Sequence, residues 1–409
     1  MKKLENERKH ITLITTWFPP QNGIAVNRMF AFAKYLDKSK YDVSVITIKT
    51  SNEPNYEIIE NIEIHRAKNN SLIKTIHTKA GEPKFIHNLK VLWNTGLNYI
   101  RPFENTKWKN SALKLLNKLH SQKKIDLIIS SYSPLETHLV ANEFCINNTS
   151  VLWIADMRDE LSKNPHISGR IKQLHIEVEK KVNKRANAVT TVSEPILNDF
   201  RELLPDVKYF EEIRNGYDHD VQPSNNFNEV FTISYAGTFY GTRKPDTFFM
   251  GLSRFVKKYK VKIRLKFIGT NKNFSIPSEF ESCCEFTLQV PHQKAIELIS
   301  VSDANLLVLP PVKGKGVYTG KIFDYISVLK PIIAVVDATD VAAKLITDHH
   351  LGFVADFNDI DQIEKAIEEA YTIWKEKKKM PIDEQKVNLL HRKYQVKKLE
   401  QLIDKLLTL

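Results

Sequence analysis

The sequence predicts an α/β protein made of two doubly wound domains, and three observations lead there. At 409 residues the chain is longer than one hydrophobic core ordinarily serves. Short apolar runs alternate with helix-period segments through both halves, a rhythm that implies parallel sheets covered on both faces. Between the halves lies a polar, asparagine-containing stretch, DHDVQPSNNFNE (218–229), with the composition of a linker. A first domain over 1–220 and a second over 225–390 follow, and the amphipathic tail at about 390–409 is expected to pack back on the first.

The first half opens HITLITTWFPPQNGIAVNRMFAFAKYL. An apolar strand over 11–15 leads through a Pro-Pro-x-x-Gly turn into a helix from about Ala25, whose Met29, Phe30, Ala33 and Leu36 recur on one face. Residues 41–49, 125–133, 150–159 and 187–195 read as further short buried strands separated by helical segments. The second half restarts with FTISYAGTFYGTRKPDTFFMGL, a strand over 231–235 that turns at Gly237 into a helix. Strands at 263–271, 285–290, 304–310 and 331–336 follow, with a helix from about Thr319 ahead of the last.

Composition is that of a globular protein, 42% hydrophobic and 26% charged, so disorder is not expected. No apolar run approaches the roughly 20 residues of a membrane span, and the charged residues 1–10 run directly into a strand rather than into a signal sequence, so a cytoplasmic protein is expected. Cys145 and the adjacent Cys283 and Cys284 suit neither a disulfide framework nor a spaced metal-ligand set and read as structural. The net charge of +12 is concentrated: residues 61–124 hold 13 Lys and Arg against 3 acids, a surplus of 10. Phe85, Trp93, Tyr99, Phe103 and Trp108 share that segment, a mixture expected of a surface meeting anionic lipid headgroups, or else of a solvated helix with core aromatics.

Ligands of open parallel sheets bind beyond the carboxyl ends of the strands. Three turns there combine glycine with cations or polar groups: 19–23, 237–244 and 314–321, the last within LPPVKGKGVYTGK with Lys313 and Lys315. Glycine lets backbone approach an anion, and a helix N-terminus offers free N–H groups and a favourable dipole, so the three suit a diphosphate. Glycine for purely steric reasons is the plain alternative at each. Arg243 and Lys244 at a helix entry tip the balance, because a positive charge there is unfavourable unless an anion answers it; Lys321, in the first turn after Thr319 and Gly320, follows the same logic.

The segments TWFPPQNGIAVNR, WIADMRDELSKNP, TTVSEP, IRNGYD, AGTFYGTRKP, FIGT and YTGKIFDYISVLKPIIAV fall in an order and spacing that resembles the GT-B glycosyltransferases of the family 4 type, most closely the bacterial members that build capsule, O-antigen and exopolysaccharide. The resemblance covers nearly the whole chain and implies two Rossmann-like domains facing across a cleft. It places Gly23 opposite the donor diphosphate and sugar, with Gly237 and Thr238 at the donor turn. Arg243 and Lys244 match the pair that neutralises the leaving nucleoside diphosphate, and Thr319, Gly320 and Lys321 supply backbone and charge to the same phosphates. Asp324 matches the acid that hydrogen-bonds the ribose. There are two departures: Gly316 stands where the first acid of the family's acidic pair belongs, and Thr238 where many relatives have arginine.

In DMRD, the resemblance puts Asp156 at the chemistry and Arg158 and Asp159 at sugar or acceptor hydroxyls, with a simple ion pair capping the loop as the alternative; His138 is a weaker candidate, with a structural role as its alternative. It further implies a retaining hexosyl- or N-acetylhexosaminyltransferase that uses a nucleoside-diphosphate sugar, UDP before GDP, without a metal or other cofactor. The expected acceptor is a lipid-linked or surface-polysaccharide saccharide, reached from the cytoplasmic face of the membrane through 61–124. A sugar-nucleotide epimerase of the same fold is the alternative enzyme, and a basic nucleic-acid-binding protein the alternative class. The aromatics of the basic segment form no RNA-binding motif, so nucleic acid is not expected as a partner. GIAVNR lacks the G-x-G-x-x-G dinucleotide fingerprint, which argues against a dehydrogenase.

Overall fold

A computed structural model describes residues 8–50, 52–69, 85–86, 88–90, 105–219, 226–239, 241, 243–270, 272–311, 316 and 318–408. The chain divides into two compact units, Met1–Ile213 with Val396–Leu409, and Arg214–Gln395. The boundary falls ahead of the polar stretch 218–229, of which 220–225 lie outside the described residues.

Among the described residues the first unit holds an eight-stranded sheet in the order β3-β4-β2-β1-β5-β6-β7-β8. The strands are β1 (Lys9–Ile14), β2 (Tyr41–Lys49), β3 (Tyr56–Ile59), β4 (Ile62–Lys68), β5 (Leu127–Ser131), β6 (Leu152–Met157), β7 (Ala188–Thr191) and β8 (Tyr209–Glu212). Only β3 pairs antiparallel, with β4. Helices α1 (Ile24–Tyr35), α2 (Thr106–Gln122), α3 (Glu136–Asn147), α4 (Gly169–Arg185) and α5 (Glu194–Leu203) cover it. Side chains alternate across the pleat, so the apolar runs feed two cores. Leu127, Ile129, Ile11 and Leu13 meet Met29 and Phe32 of α1, while Ile128 and Trp153 meet Trp108, Leu116 and Phe144 of α2 and α3 on the other face.

The second unit is an all-parallel sheet of β9 (Phe231–Ala236), β10 (Ile263–Ile268), β11 (Cys284–Thr287), β12 (Ala304–Leu309), β13 (Ile332–Val336) and β14 (Gly352–Asp356), in the order β11-β10-β9-β12-β13-β14. By position within the unit this is the doubly wound 3-2-1-4-5-6 arrangement, with its switch point between β9 and β12. Those strands pair only at Ala304 with Ile233 and Asn305 with Ser234, so the sheet opens between their carboxyl ends. Helices α6 (Asp246–Tyr259), α7 (His292–Ser300), α8 (Gly320–Ser327), α9 (Val341–Asp348), α10 (Ile360–Lys375), α11 (Glu384–Asn388) and α12 (Arg392–Leu407) complete the chain. One face packs Phe248, Phe249, Leu252 and Phe255 of α6 with Ile363 and Ile367 of α10; burial of each such side chain contributes about 1.5–3 kcal/mol. The other face packs Ile322, Phe323, Tyr325 and Ile326 of α8. From Val396 onward α12 belongs to the first unit, where Val396, Leu399, Leu402, Ile403 and Leu406 join the core of α1.

Several elements exceed the sequence reading. The β3–β4 hairpin turns at Glu60 and Asn61, both left-handed with φ of 50° and 59°, without the glycine that advertises such turns. It brings 62–68 of the basic segment into the sheet. Trp108 of that segment is wholly buried in the core, Phe85 is exposed, and Trp93, Tyr99 and Phe103 lie outside the described residues. Strands β8 and β14 are further elements beyond those the sequence pattern predicts. Among the described residues no helix is long and apolar enough to cross a membrane.

Candidate functional site

The switch point of the second unit gathers the residues expected to bind a diphosphate. Strand β9 ends at Ala236, whose free N–H donates to the Tyr325 hydroxyl (2.9 Å), pinning α8 against the strand end. The chain then turns at Gly237, with φ of 102° and an N–H donated to the Ile268 carbonyl (2.7 Å). A Cβ here would lie 2.6 Å from Cε of Lys321 and 3.0 Å from its Nζ, so glycine is what lets Lys321 fold beneath the turn. Lys321 Nζ sits 4.2 Å from the centre of the Tyr235 ring and hydrogen-bonds its hydroxyl. Burial, and then the nearby charge of Arg243, push the Lys321 pKa down to about 7, against the opposing pull of Asp324. Arg243 is half-buried and Lys244 exposed, both immediately before α6. Thr319 occupies the N-cap of α8 in extended conformation, and its hydroxyl, buried and unpartnered, does not cap the helix. The expected cradle residues Lys313, Gly314 and Lys315 lie outside the described residues.

One turn further, Asp324 faces His292 at the start of α7, with Nε2 3.1 and 3.2 Å from its two oxygens. That hydrogen bond raises the His292 pKa against the effect of burial. Ser327 donates its hydroxyl hydrogen to the Asp324 carbonyl (2.7 Å), so its oxygen accepts from Nε2 of His219 (2.7 Å). Burial holds His219 neutral, with its pKa pushed down to about 4. Neither histidine was singled out from the sequence: they come from separate elements, and only folding sets them beside Asp324. Gly316, at the missing acid's position, has φ of 94° and donates its N–H to Asp340 (2.9 Å), a backbone state that an acidic side chain would strain.

In the first unit, Asp156, expected at the chemistry, is fully buried at the end of β6. Oδ1 accepts from Arg28 Nη2 (2.7 Å) and Thr190 (2.8 Å), and Oδ2 from Arg28 Nε (3.1 Å) and Ser131 (2.8 Å). Burial raises its pKa, but the Arg28 charge and these hydrogen bonds outweigh it and hold the carboxyl below the usual range. Arg28, read only as a helix residue, also donates to the Ile213 carbonyl (2.6 Å) and lies over Phe32. His138 is likewise enclosed: Nδ1 lies 2.7 Å from the Ser130 hydroxyl, which accepts from Trp153 Nε1 (2.8 Å), and burial pushes its pKa down to about 3. The neutral, enclosed ring suits the structural alternative for His138. Arg158 donates to the Tyr132 carbonyl and Asp159 is exposed. Gly23, with φ of 138°, begins α1 and has open space where a Cβ would stand.

No protein-family model matches the sequence, and no curated protein is significantly similar to it. Solved structures do match. Sucrose-phosphate synthase from Thermosynechococcus elongatus superposes with a TM-score of 0.68 at 14% identity, over 98% of this chain and 100% of that one. A glycosyltransferase from Rickettsia africae gives 0.63 at 13%, over 98% and 99%. Anabaena HepE, solved with UDP and glucose, gives 0.58 at 12%, over 98% and 100%. The fold is GT-B.

Within this GT-B chain the second unit brings together Gly237, Lys321, Arg243 and the start of α8, with Asp324 one helical turn away. The first unit offers Gly23, Arg158 and Asp159 as accessible or half-accessible groups, while Asp156 on β6 and His138 on α3 are buried. Among the described residues of the GT-B chain, no group of three or more His, Cys, Asp or Glu is arranged to hold a metal ion.

Proposed function

We propose that the protein is a retaining glycosyltransferase of the family 4 type, which moves a hexosyl or N-acetylhexosaminyl group from a nucleoside-diphosphate sugar to a lipid-linked or surface-polysaccharide acceptor. The observation that carries this reading is the cationic turn at the switch point, where Lys321 is held under Gly237 beside Arg243 and the start of α8. Two neighbouring cations beside a helix N-terminus suit a diphosphate. UDP is the preferred carrier, since HepE, which shares the fold, was solved with UDP and glucose.

As the sugar–phosphate bond breaks, negative charge grows on the diphosphate. Groups already aimed at it stabilise the transition state more than the ground state. Arg243, Lys244 and Lys321 perform that task, Thr319 and Gly320 offer backbone N–H groups, and Asp324 takes the ribose hydroxyls. The departing phosphate removes the acceptor proton on the same face of the sugar, so no separate base and no metal or other cofactor is required. Arg158 and Asp159 are available to sugar or acceptor hydroxyls. The basic stretch within 61–124 suits work at the inner face of the cytoplasmic membrane. Arg243→Ala with Lys244→Ala should lower turnover on UDP- or GDP-sugars by at least a hundredfold while circular dichroism stays unchanged. Undiminished turnover in the folded double variant would remove the reading, and UDP-sugar conversion without an acceptor would favour an epimerase.

A further inference from the structure

A second basic site lies in the first unit, on the edge strand. Arg201 of α5, Lys208, the strand residues Tyr209, Phe210 and Glu211, and Lys398, Gln401, Leu402 and Lys405 of α12 line a recess of about 380 Å³. Its cations come from three separate elements, and the floor is aromatic: Lys405 Nζ stands 4.4 Å from the centre of the Tyr209 ring. Lys398, Gln401, Leu402 and Lys405 recur at the three- and four-residue spacing of one helix face, with Leu402 anchored in the core and the cations facing the recess. Strand β8 is the sheet's edge, hydrogen-bonded only to β7 among the described strands.

The charges do not balance internally. Four lining cations meet one lining carboxylate, Glu211, and Arg201 pairs with Glu194 outside the recess (2.8 Å), which leaves +2. Lys208 and Lys405 have no ion-pair partner among the described residues, and the charge that Lys398 meets is that of Glu211, already counted. Like charges gathered in a concavity repel one another, and an anion relieves this; a dianion matches the surplus where one carboxylate would leave half of it. We infer that this recess binds a phosphate-class dianion, with Lys398 and Lys405 gripping the oxygens and the Tyr209 ring and Gln401 contacting the rest of the ligand. The inference stands apart from the catalytic reading, since the recess shares no residue with the donor turn.

The phosphate could belong to a soluble phosphate ester or to a lipid headgroup, and the test separates them. The full-length chain is titrated calorimetrically with inorganic phosphate at low salt, and floated with phosphatidic acid or phosphatidylcholine vesicles. Wild type is compared with Lys398→Gln/Lys405→Gln, and with Lys172→Gln/Lys181→Gln, which removes equal charge from exposed positions of α4. Phosphate affinity at least tenfold weaker in the first pair than in the control pair is the expected result. If flotation on phosphatidic acid also falls in the first pair alone, the source is a headgroup; if neither vesicle distinguishes the variants while the isotherms differ, it is a soluble ester. Isotherms and flotation that are the same in both pairs would overturn the inference.

Discussion

At Lys321 the energetics of one side chain run against the fold. Its pKa is about 7 in the folded protein against an ordinary 10.5, so the charged form is disfavoured by folding. The penalty is complete below pH 7 and fades as pH climbs from about 7 to 10.5, where the unfolded chain also loses the proton. Lys321→Met should therefore raise the melting temperature of the ligand-free protein at pH 6, with the gain shrinking towards pH 10. A bound diphosphate restores the charge, so binding takes up a proton near neutral pH. UDP affinity of the wild type should fall by up to about tenfold per unit as pH rises above 7, and that slope should vanish in Lys321→Met. Flat pH dependence in the wild type would separate Lys321 from the phosphates. Asp156 presents the opposite sign. Its depressed carboxyl stabilises the fold above the unfolded pKa, and that stability is lost as pH falls through the folded value. Asp156→Ala leaves Arg28 buried without its partner and should cost about 3–5 kcal/mol in urea unfolding, whereas Arg28→Met with Asp156→Leu should recover most of the loss. Loss of turnover in Asp156→Ala without loss of stability would return this residue to the chemistry.

Helix α8 shows how a short element places a site. Tyr325 fixes it to the end of β9 and Lys321 reaches back beneath the β9 turn, so the glycine at 237 is a geometric condition for the cation's position. Gly237→Ala meets two obstacles, a left-handed φ and a side chain 2.6 Å from Lys321 Cε. The backbone strain costs about 1–2 kcal/mol, and the Cβ displaces the lysine. Weakening of UDP binding by at least tenfold, with the melting temperature lowered by only a few degrees, is the expected pair of outcomes in a thermal-shift titration; unchanged affinity would mean that Lys321 is not a phosphate ligand. At this scale the sequence was most legible. Glycine next to cations at a strand-to-helix turn is a local pattern, and the Gly237, Arg243 and Lys321 it singles out lie together in the fold. The pairing of Asp156 is not legible in the sequence, because its partner Arg28 lies 128 residues away and local pattern cannot tell a carboxylate facing solvent from one locked in a sheet. His219 and His292 were invisible for the same reason. The β3–β4 hairpin was missed because its turn uses Glu60 and Asn61 in place of glycine.

Across the whole molecule, α12 ties the two ends of the chain together. It begins in the second unit, and from Val396 it closes the core of the first, where Val396, Leu399, Leu402, Ile403 and Leu406 cover the same sheet face as α1. The first unit therefore includes Val396–Leu409, although β1 to β8 all precede Arg214. Leu399 is fully buried, and Leu399→Ala alone should cost about 2–5 kcal/mol by leaving a cavity on that face. Ending the chain after Gln395 removes these five core side chains at once from the face that α1 also covers. The second unit, 214–395, retains its own sheet and helices α6 to α11 in that truncation. Hydrogen exchange should accordingly show rapid exchange throughout β1, β5 and β6 of the truncated protein with protection preserved in β9, β10 and β13. Equal protection of both sheets would mean that α12 is dispensable to the first core.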